Sequence, residues 1–506
     1  MISRKIYGPP GTGKTTKLIG NRNKNIKGYV STFIKLGTPI DKIGYFTFTT
    51  KAANEAIDRM MEYFPQYSRK DLKYFRTLHS LAFQRLGMKK SEVMQDEHYE
   101  DIGRKVGIEV TVYSDGQEST GFVDSNSEYF NLINAARIKG INWEEEYNTA
   151  MYSPDLDKRT LKILKDEVDN YKKSFVLRDY TDMIEEFNMA KLCPKYDVVF
   201  IDEAQDLSPI QWKMVDILRK NSKYVILAGD DDQAIYGWAG ADVKKFQDIP
   251  AKKDIILPQS HRVPVAVQHI ADKILERIPD ERKIKKKWKA RDEEGFVDHI
   301  TAIEDAPLYE GDWLILARTN DRLEKLKPIL KDMGLYFQIK GRKSFKASLF
   351  RSILNYTRWQ NKGDKLSLSE VKDILACTQS YHTVREERLY DLTEFGFSNT
   401  QRWYDVFKTN PDECLYIREM LSQEENLHND ARVQLSTIHS AKGGQADNVL
   451  LILDNTKTIR EAIEKSDNKH DEEQRVWYVG VTRTKQNLYI MTAKREDRGY
   501  DIESLG

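Results

Sequence analysis

The stretch Gly8-Pro9-Pro10-Gly11-Thr12-Gly13-Lys14-Thr15-Thr16 constrains this chain more than any other. Glycine, four residues, glycine, lysine and a hydroxyl residue make a loop whose backbone N–H groups can wrap a triphosphate, because glycine lets the main chain turn and approach where a Cβ would clash. Lys14 is then placed for the β- and γ-phosphates, Thr15 for a Mg²⁺ ion, and Gly11, Thr12, Gly13 and Thr16 for the cradle. Such a loop works only between a strand and a helix. Arg4-Lys5-Ile6-Tyr7 reads as that strand and Lys17-Leu18-Ile19 as the continuing helix, its positive end turned to the phosphates. A Gly/Pro-rich turn that matched by chance would lack this setting.

The same alternation continues. Residues 43–48 are an apolar, β-branched strand, and Thr49 or Thr50 is placed to cap a helix over 51–64 with Ala53, Ile57 and Met60/Met61 on one face. Residues 74–77 read as a strand and 79–86 as a helix, which together say parallel α/β sheet. The pattern stops near Lys89. From 89 to 191 the chain is polar and helix-rich, with Leu161, Leu164, Val168 and Tyr171 spaced as one helical face, an inserted subdomain. The sheet resumes with the doubly buried run 196–201 and the strand 224–228. A second α/β series then begins at 263, with strands at 313–317, 335–339, 433–437, 449–453 and 488–491, interrupted by a charge-rich helical stretch over 349–430. The expected plan is an α/β protein with two tandem sheet domains. The first is 1–88 and 192–262 with insertion 89–191; the second is 263–348 and 431–506 with insertion 349–430.

Composition excludes several classes. Lys plus Arg (80) balances Asp plus Glu (79), so a polyanionic partner would need a local groove rather than a globally basic surface. No apolar run reaches the ~18 residues of a membrane span, and the amino terminus reads as strand and loop without a signal-peptide pattern. Cys193, Cys377 and Cys414 form no C-x-x-C pair, so spacing argues neither for an iron–sulfur nor for a zinc site.

Two strand ends carry further chemistry. Asp202 and Glu203 follow the run 196–201, where open α/β sheets bind ligands, and adjacent acids there divide the labour: Asp202 for the Mg²⁺ shell, Glu203 to orient and deprotonate an attacking water. Without a phosphate loop the same acids would be a solvated turn. The strand 224–228 empties into Gly229-Asp230-Asp231-Asp232-Gln233-Ala234-Ile235-Tyr236-Gly237-Trp238, which places Gln233 to sense a γ-phosphate and offers Tyr236 and Trp238 as flat faces for bases, or as core. Arg262 and Arg483 are candidates to stabilise charge on a transferring phosphoryl group.

In order along the chain, these stretches resemble a superfamily 1 DNA helicase of the UvrD/Rep/PcrA group. The resemblance rests on 8–16, Phe46-Thr47-Phe48-Thr49-Thr50-Lys51-Ala52-Ala53, Thr77-Leu78-His79-Ser80, Asp202-Glu203-Ala204-Gln205-Asp206, and 229–238. It continues through Gln259-Ser260-His261-Arg262, Thr437-Ile438-His439-Ser440-Ala441-Lys442-Gly443 and Tyr478-Val479-Gly480-Val481-Thr482-Arg483. It implies two RecA-like P-loop motor domains that use ATP and Mg²⁺, move along single-stranded DNA and separate duplex at single/double-strand junctions with 3′→5′ polarity. A cytoplasmic protein of a bacterial or phage-infected cell is implied, with no membrane partner. Gln233, Arg262 and Arg483 would contact the γ-phosphate, with Arg483 as an arginine finger. Phe48, Thr49, His79, Tyr236, Trp238, Arg318, Asn320, Thr437 and His439 match positions that hold the strand, in keeping with the stacking and basic contacts of sequence-tolerant binding.

Three departures qualify the resemblance. Seven residues before Gly8 leave no room for the family's upstream glutamine motif. His261 stands where a base-stacking tyrosine is usual, and Gly444-Gln445 replaces Leu-Glu. Weak base selectivity is therefore expected, with His261 and Gln445 left as the nucleotide contacts. The basic run Arg282-Lys283-Ile284-Lys285-Lys286-Lys287-Trp288-Lys289 reads as a solvated face, with DNA contact as the alternative. Two other activities stay open: a 5′→3′ motor of the same superfamily, and a translocase that clears proteins from DNA with little unwinding.

Overall fold

The computed structural model describes residues 2–112, 125, 127–150, 156–378, 382–407, 409–423, 425, 431–493 and 499–502. Two compact units emerge, Met1–Glu294 with Thr458–Thr482, and Gly295–Lys457 with Arg483–Ser504.

The first unit is built on a sheet of β1 (Arg4–Tyr7), β4 (Ile43–Thr47), β5 (Phe75–Thr77), β6 (Tyr196–Ile201), β7 (Ser222–Gly229) and β8 (Asp254–Ile256). A two-strand hairpin, β2 (Gly20–Asn21) and β3 (Ile26–Lys27), stands apart from it. The order is β5-β4-β6-β7-β1-β8, with all pairs parallel, so every carboxyl end opens on one edge. Burial on both faces explains the unbroken apolar run of β6: Val198, Val199 and Phe200 are fully buried. Helix Thr50–Tyr63 follows β4, capped by the Thr49 hydroxyl, which accepts the Ala52 N–H at 3.1 Å, and buries Ala53, Ile57 and Met60 as the periodicity requires.

Between β5 and β6 the described helices are Asp96–Val106, Glu128–Lys139, Trp143–Thr149, Lys158–Phe175 and Tyr180–Ala190, after the β5-linked Leu78–Arg85. Leu161, Leu164, Val168 and Tyr171 enter a core of their own with Ile102 and Phe130, separate from the sheet's core, which is why this stretch lacks strand periodicity.

The second unit holds β9 (Phe296–Ile300), β10 (Trp313–Ala317), β11 (Phe337–Ile339), β12 (Arg342–Lys343), β13 (Val433–Thr437), β14 (Ala446–Ile452) and β15 (Thr484–Met491). Its order is β12-β11-β13-β10-β14-β15-β9, parallel apart from the β11–β12 pair. Helices Ala347–Lys362, Leu368–Cys377, Trp403–Val406 and Pro411–Ser422 close around Phe350, Ile353, Tyr356, Ile374 and Ile417.

The units divide after Glu294, where the sequence reading starts the second domain at 263. Backbone bonds account for the difference. Lys289 N–H donates to Pro258 O at 2.8 Å and its carbonyl accepts the Ser260 N–H at 2.8 Å, which ties 263–294 back to the strand-end segment of the first unit. Among the described residues no helix is long and apolar enough to cross a membrane. The three cysteines are free and half-buried.

Candidate nucleotide site

The loop after β1 is fixed from both sides. Gly11 and Gly13 have φ of 71° and 77°, in the left-handed region that favours glycine. Gly8 is required for another reason, since a Cβ there would lie 1.8 Å from Cγ of Lys14. The Thr12 hydroxyl donates to Pro9 O at 2.7 Å. From β8's continuation, the Ser260 hydroxyl donates to Pro10 O at 2.8 Å and His261 N–H to Gly11 O at 2.9 Å. His261 and Arg262 are thereby held against the loop. Thr15 and Thr16 lie in the helix Lys14–Ile19, half-buried, and Thr16 Oγ1 accepts from Arg59 at 3.4 Å. That helix stops at Gly20, whose φ of 114° turns the chain into the β2–β3 hairpin.

The acids after β6 meet the loop lysine. Lys14 Nζ lies 3.2 Å from Glu203 Oε1. Burial opposes the charge on Lys14, but Glu203, Asp230 and Asp202 together outweigh it and hold its pKa above the ordinary lysine value. Asp202 is 5% exposed. Its carboxylate accepts the Tyr45 hydroxyl at 2.7 Å and the Glu203 N–H at 3.0 Å. Burial first, and then the neighbouring Glu203, push its pKa up to about 6. Glu203 sits at φ 55°, a conformation that costs an L residue about 1–2 kcal/mol, so the fold holds this carboxylate in place against local preference.

A chain of hydrogen bonds leads from Glu203 to the turn after β7. Gln205 Nε2 donates to Glu203 Oε2 at 2.7 Å, Asp230 N–H to Gln205 Oε1 at 3.0 Å, and Gln233 Nε2 to Asp230 Oδ2 at 2.6 Å. The strand order explains the juxtaposition: β7 lies between β6 and β1, so its end faces both the acids and the loop. Arg262 is half-buried, and its Nη1 lies 3.5 Å from Thr482 O. Burial pulls its pKa down to about 10, against the carboxylates of Glu203 and Glu55.

The strand-facing candidates divide in two. At the ends of β4 and β7, Phe48 packs against Tyr236 with the rings tilted by 35° and their centroids 5.3 Å apart, and Tyr236 against Trp238 at 58° and 6.3 Å. Phe48 and Tyr236 are 4% and 3% exposed, so of these rings Trp238, half-buried and with its backbone N–H donating to Glu472 Oε1 at 3.1 Å, offers the accessible surface. Thr49 caps its helix, and His79, buried, lies edge-on to Tyr180.

In the second unit β10 and β13 are neighbours with Ala317 opposite Thr437, which brings Arg318 and Asn320 beside Thr437 and His439 at adjacent carboxyl ends. Thr437 Oγ1 accepts the Ser440 N–H at 3.2 Å and fixes the turn that carries His439. Arg483 precedes β15 and is 1% exposed; its Nη1 donates to Gly444 O at 3.3 Å, and its carbonyl accepts the Ala446 N–H at 3.2 Å. Gln445, exposed, occupies the turn that Arg483 brackets.

Four contributors carry no role in the sequence reading: Tyr45, Gln205, Ser260 and Lys286. Gln205 and Ser260 lie within the quoted stretches, but only the fold shows what their side chains bond. The basic run is not simply a solvated face, because the Lys286 side chain is 2% exposed and bonds Asp230 at 2.8 Å and Asp232 at 2.7 Å.

Comparison with known proteins places these features in one family. Residues 3–254 match the UvrD/REP helicase N-terminal domain and residues 376–495 the UvrD-like helicase C-terminal domain. YjcD of Bacillus subtilis, which bears the name of an ATP-dependent DNA helicase, is 24% identical over 95% of this chain and 75% of its own length. The ATP-dependent DNA helicase PcrA of Staphylococcus epidermidis is 23% identical over 59% of this chain, and that of Staphylococcus aureus 24% over 59%. The aligned region spans 55% of each PcrA, about half its length. A solved viral helicase, that of PRRSV, aligns with a TM-score of 0.33 at 12% identity over 97% of this chain and 52% of its own, too low a likeness to bear on the fold.

Proposed function

We propose, because the chain belongs to the UvrD/REP helicase family, that it is an ATP-dependent DNA helicase that moves 3′→5′ along single-stranded DNA and separates duplex at junctions. The observation that carries this reading is the Lys14–Glu203 pair, 3.2 Å apart at the carboxyl ends of β1 and β6, on either side of β7, and bonded through Gln205 and Asp230 to Gln233. In this reading Lys14 binds the β- and γ-phosphates within the cradle of Gly11, Thr12, Gly13 and Thr16. Glu203 takes the proton of the attacking water, Gln233 senses the γ-phosphate, and Arg262 and Arg483 stabilise the charge that develops on transfer. His261 and Gln445 are left to meet the nucleotide's base.

The donor set fits Mg²⁺. The Asp202 carboxylate and the Thr15 hydroxyl are hard oxygens, and burial with Glu203 alongside makes Asp202 a carboxylate whose ionised form a divalent cation would favour. Bound there, Mg²⁺ would neutralise charge on the phosphate oxygens. Trp238 is the base platform in this assignment, backed by Tyr236 and Phe48. Thr49, His79, Arg318, Asn320, Thr437 and His439 hold the strand's phosphates and sugars.

Unwinding of 3′- and 5′-tailed duplexes with ATP tests the proposal. Separation of the 3′-tailed substrate is expected. Separation of the 5′-tailed one alone would reverse the polarity, and displacement of a protein block without strand separation would replace unwinding by remodelling.

A further inference from the structure

Within the basic run, the Lys286 side chain turns inward to acids of the site, whereas that of Lys283 donates to Leu275 O at 2.6 Å. Its ammonium sits where the carboxylates of Asp230, Asp231 and Asp232 converge, a geometry that resembles a cation site, and the cation is the lysine itself. The surrounding segment is pinned as well. Ile284 N–H donates to Asp231 Oδ2 at 3.0 Å, and Arg282 pairs with Asp467 at 2.7 Å and with Asp471 at 2.8 Å. Arg475 Nη2 donates to Arg282 O at 3.1 Å, so the helix Asp467–Val481 holds the strap from its other side.

Asp230 has a second set of bonds. While Oδ1 faces Lys286, Oδ2 accepts the Gln233 amide at 2.6 Å, and its N–H reaches Glu203 through Gln205. The group assigned to the γ-phosphate therefore takes its position from the Asp230 carboxylate, the group assigned to the water is tied through Gln205 to the backbone N–H of the same residue, and that carboxylate takes its position from Lys286. With the ammonium gone, three buried like charges within one turn would repel one another, and Asp230 would move or take up a proton.

We infer that Lys286 is a positioning residue for ATP hydrolysis, acting through Asp230 on Gln233 and Glu203, and that the run at 282–289 is an internal strap rather than a nucleic-acid track. The inference rests on the proposed ATPase. Lys286 touches neither nucleotide nor water in this scheme, so its loss should lower kcat and leave KM for ATP alone.

The test is steady-state ATP hydrolysis with saturating single-stranded DNA, together with strand affinity. Wild type should hydrolyse ATP; a wild-type chain without DNA-stimulated hydrolysis overturns both this inference and the proposed function. In Lys286→Met, kcat should fall by about 10²-fold, the scale of a misplacement near 1 Å, with KM for ATP within about twofold. A folded Lys286→Met with wild-type kcat, or with raised KM and unchanged kcat, overturns the inference alone. Should Lys286→Met not fold, Lys286→Arg decides, because it keeps the charge and changes the bond geometry: kcat several-fold down at unchanged KM supports positioning, and wild-type kcat refutes it. Lys285→Ala and Lys287→Ala, at exposed neighbours, should leave strand affinity unchanged; a clear loss in either would make the run a nucleic-acid contact instead.

Discussion

The two sheets share a parallel plan and differ in what stands at their carboxyl ends. In the first, β1, β6 and β7 end in a phosphate-type loop, two acids and an amide-bearing turn, and hydrogen bonds join all three. In the second, β10 and β13 end side by side in Arg318, Asn320, Thr437 and His439, donors and small polar groups suited to holding a chain rather than activating water. Strand order decides where chemistry can gather. The side chains at the ends decide which chemistry it is.

Substitutions can break that division of labour. The largest effect should come from Arg483→Ala, the one residue of the second unit assigned to the reaction. Such fingers contribute about 10³–10⁵ in rate, so DNA-stimulated hydrolysis should collapse while nucleotide binding, measured by fluorescence titration, persists. Surviving stimulation would move that role to Arg262. Next in size is Glu203→Gln, expected to lose about 10²–10⁴ in kcat, the usual worth of a general base, with ATP and DNA affinity retained. Lys14→Ala should lose affinity and turnover together, which separates phosphate binding from water activation. Near wild-type hydrolysis in Glu203→Gln would show that the acids are not the hydrolytic centre of the first sheet.

Trp238→Ala sharpens the comparison at the strand. Stacking is worth about 1–3 kcal/mol per base, so single-strand affinity should fall by that amount with little change in sequence preference. Unchanged affinity would return Trp238 to the role of a packing residue for Tyr236. The smallest effect concerns the base. With His261 exposed and tied to the loop by its backbone N–H, GTP and deoxy-ATP should support hydrolysis within about one order of magnitude of ATP, because sites without dedicated hydrogen bonds discriminate only about 10–200-fold. A preference for ATP near a thousandfold, measured across the four ribonucleotides, would reveal an adenine contact elsewhere.

Much of this was legible in the sequence because its signals are local. The loop's glycines, the cap at Thr49 and the apolar run of β6 each follow from a few neighbouring residues and appear where their chemistry puts them. Other features were hidden because they depend on distant partners. Nothing in a run of like positive charges says that Lys286, rather than Lys285 or Lys287, turns inward to the acids at 230–232. Tyr45 reads as an ordinary strand aromatic, and only the pairing of β4 with β6 brings its hydroxyl to Asp202. Tyr236 reads equally as a flat face for bases or as core, and only the fold brings Phe48 against it with both rings buried. The division after Glu294 is of the same kind, since backbone bonds join Lys289 to Pro258 and Ser260 and leave no mark in composition.

The central claim is that the network at the first sheet is an ATPase that single-stranded DNA switches on. Steady-state ATP hydrolysis of the wild-type chain, with and without single-stranded DNA, tests it most directly. The rate should be low without DNA and rise by about 10³-fold with it, the lower end of what a finger contributes. Equal rates in the two conditions, whether high or absent, would contradict it.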